Sequence, residues 1–324
     1  MLFFFLIGLA CFFVAYFWVS SVWSTPVSAG NYTLEKWAML SSLPRSLDLD
    51  IAETRYKLYL RFFAPKISSL KAGTYEVPED MGLSRVMSEV LTTPKYSDLT
   101  VTILPGWNMY DIDSYLSDKK ILPTGAFLIA ARDHFATFQK KYSFLRWPIS
   151  MEGFLYPDTY RILQTADAYM ILDTLLAEWD KKIGDTYRTL WEDGYDTLIL
   201  ASIVEREERR SSEKAKVAGV LEKRVREGIP MGADATVCYG YAKTQKQCTP
   251  AFIGSVIGEK HPYNTRNKQW YIPTPISSIS LDTWTATTNP ETSPYYYYLH
   301  DSDGQIHYGT TLADHNANKQ KYLQ

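Results

Sequence analysis

From Leu2 to Trp23 the chain reads LFFFLIGLACFFVAYFWVSSVW, without one charged residue. Coiled as a helix, such a run is long enough to cross a hydrocarbon core of about 30 Å. This constrains everything after it, because a chain that opens in this way is made at a membrane. No Lys or Arg precedes the run, and the first ones after it are Lys36 and Arg45, so the flanking charge hardly fixes orientation. Val27-Ser28-Ala29 resembles a signal-peptidase site, which makes a cleaved signal the competing reading. The length of the apolar run and the lack of a basic start favour an uncleaved anchor over residues 1–24. Either way, the rest of the chain is expected outside the cytoplasm, behind a single pass of the cell (inner) membrane.

That compartment bears on the cysteines. Cys11 lies inside the apolar run, which leaves Cys238 and Cys248 as a candidate disulfide in a short loop. No His or Cys cluster has metal-ligand spacing, so no metal or other cofactor is expected. His134, His261, His300, His307 and His315 read as surface or turn residues. With 324 residues, 46% of them hydrophobic, and a net charge of −2, the chain is a folded protein and not a bulk binder of nucleic acid. An aromatic share of 15%, with 24 Tyr and 9 Trp, suits flat amphipathic ligands such as sugars.

Beyond a linker at 25–31, residues 32–120 mix short strand and helix signals as a small α+β module and its connection. Lys71 to Pro78 reads as a turn entering a strand. Gly82 to Thr92 reads as an amphipathic helix with Val86, Met87, Val90 and Leu91 inward, and Leu99 to Leu104 as a second strand. Pro105-Gly106-Trp107 then turns the chain into a helix over Tyr110–Leu116. Residues 121–324 form the larger domain. Gly125 to Leu145 reads as helical and leads to Ser150–Tyr160, a shaped loop of acids, Gly, Pro and aromatics in which Asp158 caps a turn. Helices follow within Ala166–Trp191 and at Glu213–Glu227, the latter ended by Gly228 and Pro230. Met231 to Tyr241 reads as a polar loop into a strand-like run. Tyr295 to Gly309 reads as a hairpin about an Asp-Gly turn, with a terminal helix from Leu312. The fold class is therefore α+β, behind an N-terminal transmembrane helix.

The larger domain is organised around Asp196–Arg210, DTLILASIVEREERR, an apolar helix that runs without a turn signal into acids and bases. Thr197 is placed to cap its start. Leu198, Ile199, Leu200, Ala201, Ile203 and Val204 are apolar on nearly every side, so the helix must be buried. Glu207 follows Val204 by three residues, Ile203 by four and Leu200 by seven, which continues that stripe into a carboxyl. Glu205 does the same for the Leu198/Ala201/Ser202 face. A carboxyl at the mouth of an apolar wall is poorly solvated when charged and holds a proton near neutral pH, as a general acid must. The competing reading is a frayed helix end whose Glu205, Glu207 and Glu208 pair with Arg206, Arg209 and Arg210. Farther on, Pro262–Arg266 gathers a phenol, an amide, a hydroxyl and a guanidinium. These could meet sugar hydroxyls and acetamido groups, or satisfy one another as an Asx turn.

Seven stretches stand in a telling order: AGTYEVP (Ala72–Pro78), LPGW (Leu104–Trp107), EGFLYPDTY (Glu152–Tyr160), LASIVERE (Leu200–Glu207), DATVCYG (Asp234–Gly240), PYNT (Pro262–Thr265) and HNAN (His315–Asn318). Together they resemble the endolytic murein transglycosylase, or YceG-like, family over most of the chain after the apolar run. The resemblance implies a membrane-tethered enzyme with a LysM-like module and an α+β catalytic domain. It implies cleavage within peptidoglycan glycan strands, between N-acetylmuramic acid and N-acetylglucosamine, leaving 1,6-anhydro ends. By that match the catalytic acid is Glu207. Glu152, Asp234, Thr236, Tyr263 and Asn264 are candidates for binding the sugars, and peptidoglycan synthesis or division proteins are candidate partners. Two features depart from the family: Glu208 stands where a small hydroxyl residue usually follows the acid, and Arg266–Pro275 replaces a Gly/Pro-rich segment. The Cys238/Cys248 pair is not a family feature either. A hydrolytic muramidase, with Glu205 or Glu152 as a second carboxylate, and a non-catalytic wall-binding protein are the alternatives.

Overall fold

A computed structural model of the chain describes residues 2–34, 40–63, 73–78, 81–91, 98–145, 148–190, 193–266 and 272–323, with the backbone alone for 2–8, 10 and 98. Ala72, Thr92, Trp191 and residues 267–271, on which some of the expectations above fall, lie outside the described residues. The chain divides into two compact units, one of Met1–Thr100 with Tyr160–Thr165 and one of Val101–Thr159 with Ala166–Gln324.

In the first unit the apolar run forms α1 (Leu2–Ser20), and a 3-10 turn at Ser21–Ser24 ends it. Among the described residues no helix is both long and apolar enough to cross a membrane. The stretch expected to be a linker is instead extended and paired. It supplies β1 (Pro26–Val27) and β2 (Gly30–Leu34), which run antiparallel to β4 (Met81–Gly82) and β3 (Gly73–Val77) respectively. Its small polar residues suggested a spacer, but Val27 and Leu34 are buried in the core and anchor it. Tyr56 and Tyr59 of α2 (Glu53–Phe62), Tyr75 of β3, and Leu83, Val86, Met87 and Leu91 complete that core. Leu83–Val90 is helical as its spacing predicts, with π geometry over Val86–Val90.

A two-stranded sheet joins β5 (Asp98–Thr102) to β6 (Thr159–Leu163). The second unit then builds helix on helix. Asn108 starts α3 (Met109–Asp118) with a capping box: its Oδ1 accepts from the Asp111 amide at 2.9 Å, and its own amide donates to Asp111 Oδ2 at 3.1 Å. Next come α4 (Ala126–Asp133), α5 (Phe135–Lys141) and α6 (Ala168–Trp179), the last capped by Asp167. Trp179 presents its ring to Phe154 at 4.8 Å and to Phe144 at 4.6 Å. Such rings bury large areas, and Ile171, Leu172, Leu175 and Leu176 of α6 are buried with them.

The central helix α7 spans Asp193–Glu207, three residues earlier at both ends than its apolar pattern suggested. Thr197 is therefore inside it, and its hydroxyl donates to the Asp193 carbonyl at 2.8 Å instead of capping. Around α7 pack α8 (Ser211–Arg226), α9 (Asp234–Gly240) and α11 (Leu281–Thr288), with α10 (Pro250–Val256) against α9. Leu198, Ile203 and Val204 have no exposed surface, and each contributes roughly 1.5–3 kcal/mol by leaving water. Gly219 of α8 lies so close to the Glu291 carbonyl that an added Cβ would stand 1.9 Å from its oxygen, which is why this helix face needs glycine.

The run from Gly232 to Val237, expected to enter a strand, becomes α9. Thr236 and Val237 are β-branched and invite an extended reading, but helical winding buries both and lets the Thr236 hydroxyl bond the Ala233 carbonyl. The hairpin is as expected: β7 (Tyr297–His300) pairs antiparallel with β8 (Ile306–Gly309), turned at Gly304 with φ +75°. The terminal helix α12 (Leu312–Tyr322) packs on it. Cys238 and Cys248 are joined as a disulfide, closing the loop between α9 and α10.

Candidate active site

Glu207 is the last residue of α7. Ile203 and Val204 beneath it belong to an apolar cluster with Val217, Leu221, Met231 and Ile276, against which Tyr239, Tyr263 and Tyr298 pack. The apolar stripe therefore ends in this carboxyl. The Tyr298 hydroxyl, from the first half of the hairpin, donates to Glu207 Oε2 at 2.9 Å. Glu207 retains some exposed surface but is closely surrounded by protein. Loss of hydration is the largest influence on it and raises its pKa above the usual carboxyl range. The Asp234 charge adds to the rise, while the Tyr298 hydrogen bond, His300 and Arg206 oppose it.

The other two glutamates of the cluster are committed elsewhere. Glu205 is buried and does not pair with Arg209. Its Oε1 accepts from Lys214 Nζ at 3.0 Å, and its Oε2 from the Ser280 amide at 2.8 Å, the Ser280 hydroxyl at 2.7 Å and the Thr283 hydroxyl at 2.5 Å. It therefore clamps α7 to α8 and to the start of α11. Glu208 is also buried. Its Oε1 takes the Arg210 amide at 2.7 Å, and its Oε2 stands 3.1 Å from His300 Nε2. Burial alone would raise its pKa, but Arg210 and His300 outweigh that and hold it below the usual range. Glu208 is thus an anionic tie between the helix end and the hairpin.

Glu152 has no exposed surface. Its Oε2 accepts from the Met109 amide at 2.9 Å, while Oε1 has no partner of good geometry, although the Tyr239 hydroxyl is near enough to favour the charged form. Burial, with the Asp111 charge adding, pushes its pKa up to about 8 against the pull of the Met109 and Gly153 amides. Gly153, at φ +86°, seats this loop on Pro275, whose Cβ would lie 2.6 Å from a Cβ at that position.

Of the remaining candidates, Asp234 opens α9 and is part-exposed, with its Oδ1 taking Arg266 Nη2 at 2.6 Å. Thr236 is buried, its hydroxyl 3.0 Å from that of Thr265. Asn264 is buried too. Its amide donates to the Ile257 and Glu259 carbonyls at 2.9 Å, and its Oδ1 accepts the Arg266 amide at 3.1 Å, so the PYNT stretch satisfies itself as an Asx turn. The Tyr263 hydroxyl lies 2.7 Å from that of Thr274. Thr236 and Asn264 therefore hold the loop that presents Asp234 and Tyr263, and have no polar group to spare. Sequence reasoning missed Tyr298 and His300. Their signal was the alternation in the hairpin, which puts residues 298 and 300 on one face of β7.

The YceG-like family model matches residues 48–321. The chain belongs to the YceG-like family. Its relatives include the endolytic murein transglycosylase of Bacillus subtilis strain 168, 21% identical over 300 residues that make up 88% of this chain and 81% of the relative. The endolytic murein transglycosylase of Streptococcus pneumoniae serotype 2 is 25% identical over 297 residues, 83% of this chain. The match spans about half, 54%, of that longer relative. The crystal structure of a YceG-like protein from Listeria monocytogenes shares the fold, with a TM-score of 0.59 and 22% identity over 90% of this chain and 99% of that one.

Proposed function

We propose that this YceG-like chain is a membrane-anchored endolytic lytic transglycosylase. It cleaves peptidoglycan glycan strands between N-acetylmuramic acid and N-acetylglucosamine and leaves 1,6-anhydro-muramyl ends. The observation that carries the reading is Glu207, an acid with a raised pKa at the end of an apolar stripe and oriented by one phenol. Because the Tyr298 O–H donates to Oε2, the transferable proton belongs on Oε1. Glu207 gives that proton to the glycosidic oxygen as the bond to C1 breaks. The carboxylate then takes the proton of the muramyl 6-hydroxyl as that oxygen attacks C1. No water is consumed and no second carboxylate is required, because the nucleophile belongs to the substrate. The commitments of Glu205, Glu208 and Glu152 support a one-acid mechanism over the hydrolytic alternative. The relatives' names support the substrate. The charge-free run at Leu2–Trp23 supports the anchor, the catalytic unit lying on the extracytoplasmic side and the first unit acting as a LysM-like module.

Glu207→Gln keeps the shape and a carbonyl acceptor but cannot exchange the proton. Cleavage of purified peptidoglycan should fall by about 10²–10⁴-fold with an unchanged melting curve. Mass spectrometry of the digest checks both rate and chemistry: anhydro ends support the reading, and reducing ends would replace it with hydrolysis.

A further inference from the structure

On the other side of α7 from the Ile203/Val204 stripe lies a cavity of about 540 Å³, a size usual for a small ligand. One wall is the loop Leu104–Trp107. The other is the end of α7, with Arg206 and Arg209, and Lys214, Gln245 and Asp282 close it. The wall is built to stay in place. The Gly106 amide donates to the Ser278 carbonyl at 2.9 Å, and the Trp107 carbonyl accepts from the Ser278 amide at 2.7 Å. The Gly106 carbonyl takes both Arg206 Nη1 at 3.1 Å and Gln245 Nε2 at 2.6 Å. Gly106 has φ +80°, and a Cβ there would press on those same two side chains. The floor is also settled, since Lys214 is shared by Glu205 at 3.0 Å and Asp282 at 3.3 Å.

What remains uncommitted is a pair of features. Arg209 is exposed and has no ion-pair or hydrogen-bond partner among the described residues. On the facing wall, Leu104 is 47% exposed and the Trp107 ring, tilted against Tyr115 with centroids 5.1 Å apart, is partly buried. A free guanidinium across from an aliphatic and aromatic surface fits a ligand with a carboxylate on a short apolar stem. A neutral sugar could accept hydrogen bonds from Arg209 but would leave its charge without a counter-charge.

We infer that this cleft seats the carboxylate-bearing stem peptide of a muramyl residue, with Arg209 binding the carboxylate and Leu104 and Trp107 the alkyl side chains. The inference rests on the proposed function, which puts peptide-bearing glycan at Glu207, two residues along the chain from Arg209. It makes the enzyme a reader of peptide substitution as well as of the sugar bond.

The test compares peptide-bearing strands with strands stripped of peptide by an amidase, using the full chain in detergent. Arg209→Gln should raise KM for peptide-bearing strands about tenfold, and by several-fold less for stripped strands. Arg209→Lys, which keeps the charge, should recover most of the loss. Equal effects on both substrates, or none on either, would overturn the inference while leaving the function standing if Glu207→Gln is inactive. If Glu207→Gln instead cleaves like the wild type, the proposed function fails. Calorimetric titration with isolated muramyl tetrapeptide then decides the inference: weaker binding by Arg209→Gln supports it, and equal binding ends it.

Discussion

Glu207 and Glu152 are both acids out of water, with different consequences. In the proposed mechanism Glu207 must be protonated to start the reaction, so cleavage should decline as pH rises through its raised pKa. The Tyr298 hydrogen bond favours the carboxylate and restrains that rise. Tyr298→Phe should therefore move the alkaline limb of the pH–rate profile to higher pH while slowing the reaction, and a limb that stays in place would show that another group sets it. Glu152 bears on stability. Its folded pKa of about 8 lies above the ordinary 4.5, so the fold favours the protonated form. Its contribution is complete below about pH 4.5 and is lost as pH rises through about 8, a matter of a few kcal/mol at most. Glu152→Gln should flatten the fall in melting temperature between pH 5 and 9, measured by differential scanning calorimetry; an unchanged slope would place the titration elsewhere. Helical spacing made legible that Glu207 ends the Leu200/Ile203/Val204 stripe, but it offered Glu205 equally on the Leu198/Ala201/Ser202 face, and only the family resemblance chose between them. The roles of Thr236 and Asn264 were not legible, because a hydroxyl or amide that serves a sugar and one that serves a backbone carbonyl look alike until the partner is in place.

At the level of elements, α7 is held by polar as well as apolar contacts. Glu205 joins three of them at once, through Lys214 of α8 and the Ser280 and Thr283 hydroxyls at the start of α11. Glu205→Gln leaves Lys214 with Asp282 but removes the charge around which four donors converge. Taking one partner from a buried pair typically costs about 3–5 kcal/mol. The expected result is a clear drop in urea midpoint, with residual cleavage per folded molecule well above that of Glu207→Gln. The reverse order of activities would mean that the acid sits on the other face of the helix. The long helices and the hairpin were readable because their patterns repeat: α7 is apolar nearly all round, α8 amphipathic, and β7–β8 hinged on Asp303-Gly304. The errors came where composition was read without a partner. Gly232–Val237 looked extended because of its β-branched residues, and Ser24–Asn31 looked loose because it is small and polar. In each case a neighbour decided the outcome, Thr265 for the first and the backbones of β3 and β4 for the second.

For the molecule as a whole, the first twenty-odd residues and the Cys238–Cys248 bond make one argument about compartment. In the proposed reading the charge-free run at Leu2–Trp23 holds the chain at a membrane, and a disulfide persists where the surroundings oxidise thiols. The bond also has structural work there, since it ties the end of α9, which presents Asp234, to the turn that carries Gln245 against Gly106. A loop of that size contributes about 2–3 kcal/mol through the unfolded chain. Both features can be read in one measurement, the intact mass of the protein extracted from membranes with and without reductant. If the proposed anchor is right, the Val27-Ser28-Ala29 site stays uncut and the mass should include the Leu2–Trp23 run, and reduction should add the mass of one pair of hydrogens. A chain beginning at Gly30 would replace the anchor with a cleaved signal and free the enzyme from the membrane. A mass that reduction leaves unchanged would place the thiols in a reducing compartment and overturn the extracytoplasmic placement.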